Sequence, residues 1–130
     1  MKKLILLFAI TLSFSTVFAQ ENENAPKIQF EEDNIDYGTI DKGADGVKYF
    51  VFTNEGKEPL IISNIRSSCG CTVPTYQKTP IGPGEESKIE VKYDTKRVGP
   101  FRKSITVYSN ASESRKVLTI QGKVVDKNKA

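Results

Sequence analysis

From Lys27 onward the chain breaks into short runs of apolar or alternating residues closed by turn residues. No stretch carries the apolar spacing of a helix for long enough to fold as one. Lys27-Ile28-Gln29-Phe30 alternates, and Ile35 to Ile40 follows an acidic kink, Glu31-Glu32-Asp33-Asn34. After the turn Lys42-Gly43-Ala44-Asp45-Gly46, Val47 to Thr53 is apolar on both parities, as expected of a central strand covered on both sides or one at a twisted edge of the core. Asn54-Glu55-Gly56 ends that run, and Pro59 to Ile65 forms the next. Lys88 to Tyr93 alternates most cleanly, with Ile89, Val91 and Tyr93 on one face and Lys88, Glu90 and Lys92 on the other. Val98-Gly99-Pro100 makes a corner before Phe101 to Ser109. Asn110 to Glu113 turns the chain into Val117 to Val125, where Gly122 marks a bulge or a close approach.

These runs predict an all-β chain: an immunoglobulin-like β-sandwich of about seven strands in two antiparallel sheets. A small closed barrel gives a similar count. The series Pro74, Pro80, Gly82, Pro83 and Gly84 favours the sandwich, because it reads as a long loop, between Val73 and Glu85, that crosses from one sheet to the other. The predicted core is Phe30, Ile40, Tyr49, Val51, Phe52, Leu60, Ile62, Ile89, Val91, Ile105, Val107, Leu118 and Ile120.

The first residues change the picture of where such a sandwich works. Lys2 and Lys3 precede an apolar run from Leu4, and Val17-Phe18-Ala19 puts small residues where a signal peptidase reads, which predicts a secretory signal over residues 1–19 cut between Ala19 and Gln20. Continuous apolarity ends at Ile10, well short of the roughly 20 residues of a spanning helix. The cleavage site has no cysteine to carry a lipid, and no later segment could span a membrane. The expectation is an exported, periplasmic or secreted protein, soluble after cleavage, with a polar leader at 20–26, one domain at 27–125 and a solvated tail at 126–130.

Charge and composition then remove functions. Losing Lys2 and Lys3 takes the formal charge from +3 to +1, with acids and bases interspersed, so a nucleic-acid partner is not expected. Histidine is absent. That excludes serine- and cysteine-histidine nucleophile systems, an imidazole base and histidine-dependent zinc sites. No catalytic residue and no cofactor is assigned, and Asn110-Ala111-Ser112, although it fits a glycosylation sequon, reads as turn composition.

One phrase still carries chemistry. Ser67-Ser68-Cys69-Gly70-Cys71-Thr72 holds both cysteines of the chain, two positions apart. On an extended strand their Cα atoms would lie about 6.6 Å apart, near the limit of disulfide geometry, although Gly70 can pucker the segment enough to close a ring. Four readings stay open: a structural strand-end feature, a reversible dithiol-disulfide site, a Cu(I) site at Cys69 and Cys71, and an intermolecular linkage.

The phrases Asp36-Tyr37-Gly38-Thr39-Ile40, Asn54-Glu55-Gly56 with Pro59-Leu60-Ile61-Ile62, Ser68-Cys69-Gly70-Cys71-Thr72-Val73-Pro74, Pro80 to Glu85 and Gly99 to Ile105 together resemble the bacterial secreted domain-of-unknown-function family 1573. The likeness runs from about Lys27 to Val125, and the family is similar in turn to Hydin-type and major-sperm-protein-like domains. It implies an immunoglobulin-like sandwich and export, and no reaction. The expected role is a non-enzymatic module that binds a protein or other cell-envelope component. The alternative is a dithiol redox or Cu(I)-binding protein acting through Cys69 and Cys71.

Overall fold

Strands begin where the alternation begins. In the structure, a computed structural model describing residues 23–128, eight follow in order. They are β1 (Ile28–Phe30), β2 (Asn34–Asp41), β3 (Val47–Asn54), β4 (Ile62–Ser67), β5 (Thr72–Thr75), β6 (Glu86–Tyr93), β7 (Gly99–Ser109) and β8 (Arg115–Val125). The expected signal segment and the cleavage point between Ala19 and Gln20 lie outside the described residues. The strands form two four-stranded sheets, β1-β3-β6-β5 and β2-β8-β7-β4, packed as an immunoglobulin-like sandwich. Two details depart from the run pattern. Thr72–Thr75 is a strand although it is short and contains Pro74, which its edge position tolerates. In addition, β2 lies parallel to β8, while every other neighbouring pair is antiparallel.

The long Pro/Gly loop does not cross between the sheets. β5 and β6 are neighbours in one sheet, so residues 76–85 leave that sheet and return to it. The crossing is made instead by residues 68–71, between β4 of one sheet and β5 of the other. Stacked sheets lie only about 10 Å apart, so four residues suffice for the step. The long loop has a different use. It swings Ile81, which is buried, into a two-way backbone bridge with Leu60 (2.8 Å in each direction) and so plugs one end of the core.

Most of the predicted core is buried, including Phe30, Phe52, Leu60, Ile89, Val91, Ile105, Leu118 and Ile120. The exceptions follow from β3. It is covered on one side only: Phe50, Phe52 and Asn54 point inward, while Tyr49 is 45% exposed and Val51 is half-buried. The outward apolar face is shielded by long side chains, with Lys88 Nζ 4.5 Å from the Tyr49 ring centre. Ile40 is also half-buried, and Tyr37, Phe50, Ile65, Ile81, Tyr93 and Phe101 complete the core.

Asn54, wholly buried, closes the end of the sandwich that Ile81 plugs. Its amide donates to the carbonyls of Glu58 (2.8 Å) and Ile81 (3.0 Å), and its Oδ1 accepts from the backbone N–H of Gly56 (3.0 Å) and Lys27 (3.3 Å). Four backbone groups from three segments therefore bond to one side chain, and truncation removes all four bonds, leaving the Ile81 carbonyl only the one from Leu60 N–H. Asn54→Ala is expected to lower stability by about 3 kcal/mol, read as a shift of the denaturant midpoint at unchanged slope. A loss below about 0.5 kcal/mol would mean that solvent replaces those bonds.

Candidate functional site

The SSCGCT phrase lies where β4 ends, and its residues are placed by bonds within the turn, to β7 and to the residue that follows β6. Ser68 N–H donates to the Ser104 carbonyl (2.9 Å) and Ser68 Oγ accepts from Ser104 N–H (3.1 Å), fastening the turn to β7. The Ser67 hydroxyl lies 2.8 Å from the carbonyls of both Cys69 and Thr72. Thr72 N–H reaches the Cys69 carbonyl (3.3 Å), and the Cys71 carbonyl accepts from Asp94 N–H (2.8 Å), just past β6. The chain turns here instead of extending, and Gly70 stands at the exposed tip with open space around it.

The turn brings the Cα atoms of Cys69 and Cys71 to 5.2 Å, and the two sulfurs are joined in a disulfide. The two partners are not equivalent. Cys71 is 3% exposed and belongs to the core, whereas Cys69 is half-buried at its margin. Cys71 N–H donates to Cys69 Sγ (3.0 Å), and Cys71 Sγ lies 3.7 Å from the Thr72 hydroxyl. With the sulfurs bonded to each other, a Cu(I) ion at Cys69 and Cys71 would first require both as free thiolates. Among the described residues no group of three or more cysteines or carboxylates gathers that could enlarge such a donor set.

Behind the turn lies an aromatic block that the sequence reading did not single out. Thr72 pairs with Tyr93, whose ring stacks on Phe101 at 3.8 Å, and Tyr37 meets Phe101 edge-on at 5.4 Å. Gly122 admits this packing, since a Cβ there would fall 2.9 Å from Tyr37 Cβ and 3.0 Å from Phe101 Cζ. The Tyr37 hydroxyl donates to the buried Gly46 carbonyl (2.7 Å), tying β2 to the approach of β3. The sequence signals available were Gly38, a bulge residue in the fold with φ +67°, and the aromatic spacing, but neither reveals that Tyr37 meets partners 56 and 64 residues away. Asn110, of the sequon, is a clamp: its amide donates to the Pro59 carbonyl (3.1 Å) and its Oδ1 accepts from Ile61 N–H (2.7 Å).

Burial, seconded by the charge of Asp45, pushes the Tyr37 hydroxyl up to about 12. The Tyr93 hydroxyl is also pushed up by burial, with Arg97 pulling it down and Asp94 adding to the rise. A folded-state value above the unfolded one means that this stability is fully present below pH 10 and is lost as pH rises toward 12. Stability is therefore expected to fall by about 2 kcal/mol over that range, and Tyr37→Phe should remove much of the fall while lowering neutral-pH stability by about 1 kcal/mol. Denaturant titrations of both proteins from pH 8 to about 12 check this. The disulfide closes a ring of only three residues, for which chain entropy gives about 1.6 kcal/mol, against about 3 for a 15-residue loop. Replacing both cysteines by alanine is accordingly expected to lower stability by less than about 2 kcal/mol and leave the circular dichroism native.

The architecture has counterparts among solved structures. A protein of unknown function from Porphyromonas gingivalis W83 superimposes with a TM-score of 0.69 at 14% identity over 81% of this chain, which spans half the length of that one. The seventh PapD-like (ASH) domain of human CEP192 gives 0.70 at 10% identity, covering 86% of this chain and 94% of that one. WR4, an MSP family member of C. elegans, gives 0.50 at 11% identity, covering 75% and 97%. At these identities the likeness is one of fold, and it places the sandwich with the PapD-like and MSP immunoglobulin-like domains. No curated protein matches the chain. The family described as "Protein of unknown function (DUF1573)" matches residues 28–124, nearly the whole sandwich, and the chain belongs to that family.

Proposed function

We propose that this protein works outside the cytoplasm as a non-enzymatic immunoglobulin-like module. In this reading residues 1–19 export it, and it binds a protein or another cell-envelope component through the open edge of β4. The carrying observation is the state of the four edge strands, β1, β5, β2 and β4. β1 has three residues, β5 has four with Pro74 among them, and β2 is interrupted by a register shift between Asp36 and Thr39. β4 also has a register shift, but at its start, between Ile62 and Asn64; beyond it the pairing with β7 runs without a break from Asn64 to Ser67, with no proline, whereas the shift in β2 falls mid-strand. Because Ser68 N–H points to β7, the alternation of an antiparallel ladder turns the backbone groups of Ile65 and Ser67 the other way. Such a row of outward donors and acceptors is what an added strand uses.

A non-enzymatic role for the β4 edge is further supported by a sequence without histidine. Export is supported by the apolar run and small residues before Gln20. A photo-crosslinking residue at Ser63 or Arg66 is expected to capture one defined envelope component in the producing cell, while the same residue at Glu113 does not. With the captured component added back, hydrogen exchange at the Ile65 and Ser67 amides should slow by about tenfold or more. Protection confined to other strands, or robust turnover of an envelope substrate by the purified protein, would sink the reading.

A further inference from the structure

The asymmetry of the cysteine turn carries a second activity, independent of whether β4 binds a partner. We propose that the Cys69–Cys71 disulfide is a thiol-exchange site at which Cys69 is the sulfur that accepts the incoming thiol and Cys71 the one that leaves. Three observations carry this. First, Cys69 stands half-buried at the margin beside the exposed Gly70 tip, while Cys71 is sealed in the core, so an external thiolate meets Cys69 Sγ. Second, each sulfur has a donor at hand for the negative charge it takes up in turn: the Thr72 hydroxyl 3.7 Å from Cys71 Sγ, and the Cys71 N–H 3.0 Å from Cys69 Sγ. Third, the turn is held without its disulfide by bonds from Ser67, Ser68, Thr72, Ser104 and Asp94. A ring this small adds little to the fold, so opening it leaves the crossing in place.

The step balances with a dithiol or two monothiols as the co-reactant. A thiolate attacks Cys69 Sγ, the bond to Cys71 breaks, and Cys71 leaves as a thiolate that takes a proton. A second thiolate then attacks the donor's sulfur in the mixed disulfide and releases Cys69 as a thiolate against the Cys71 N–H. Net, the protein disulfide is reduced to two thiols and the donor is oxidised to its disulfide. Run backward, the same steps oxidise a dithiol.

The full protein is incubated with reduced glutathione, quenched in acid and mapped by mass spectrometry, with circular dichroism followed in parallel. Glutathione is expected on Cys69 in about tenfold or greater excess over Cys71, with the β spectrum unchanged. With oxidised glutathione as the co-reactant instead, Cys71→Ser should attack it through Cys69, releasing one reduced glutathione and keeping the other on Cys69 as a stable mixed disulfide, and Cys69→Ser should leave the sealed Cys71 thiol unmodified. If either variant fails to fold, the map on the wild-type protein decides alone. A pair that stays oxidised in excess glutathione, an adduct shared equally or found on Cys71, or reduction only with loss of the β spectrum overturns the proposal.

Discussion

The buried Asn54 amide is the constraint on which one whole end of the sandwich depends. Its four hydrogen bonds hold the start of β1, the turn after β3 and the long loop before β6 against one another. A hydrophobic core alone would not fix these segments, since apolar contact is non-directional and each segment carries backbone groups that must be paired when buried. The amide supplies direction. It also explains why the loop at 76–85 is long: Ile81 has to reach both the Asn54 amide and the Leu60 backbone.

The opposite end is organised by different physics. There the stacked pair Tyr93 and Phe101, with Tyr37 edge-on, fills the space between sheets, and the cysteine turn lies along its border through Thr72 and Asp94. One end is thus fastened by directional polar bonds and the other by aromatic surface. The two ends bracket an aliphatic middle of Ile89, Val91, Ile105, Leu118 and Ile120.

What could be read in the sequence was whatever depends on local pattern. The alternation of Lys88 to Tyr93 names its buried face correctly, because a one-sided strand repeats every two residues. Val47 to Thr53 misled for the same reason: with apolar residues on both parities, nothing local says that Lys88 will roof Tyr49 on the outer face. The Pro/Gly loop suggests the crossing only if loop length measures distance travelled. Four residues of SCGC make the step, and the long loop returns to its own sheet. The cysteine pair itself was legible as a site, but the inequality of its two sulfurs was not. Cys71 is held at the core by the Asp94 N–H, 23 residues further along, a partner that no local pattern names.

The parallel placement of β2 against β8 bears on the order in which the molecule can be finished. Asn34 is matched with Thr119 and Asp41 with Val125, so the second strand of the chain is completed only by the last. A polypeptide appearing from its N-terminus must hold β2 unpaired at that edge until some 85 further residues have arrived, which makes its closure one of the most non-local events in the fold. The sandwich is in this sense sealed by its C-terminal strand, and a chain shortened before Thr119 would lack the surface on which its own beginning is laid.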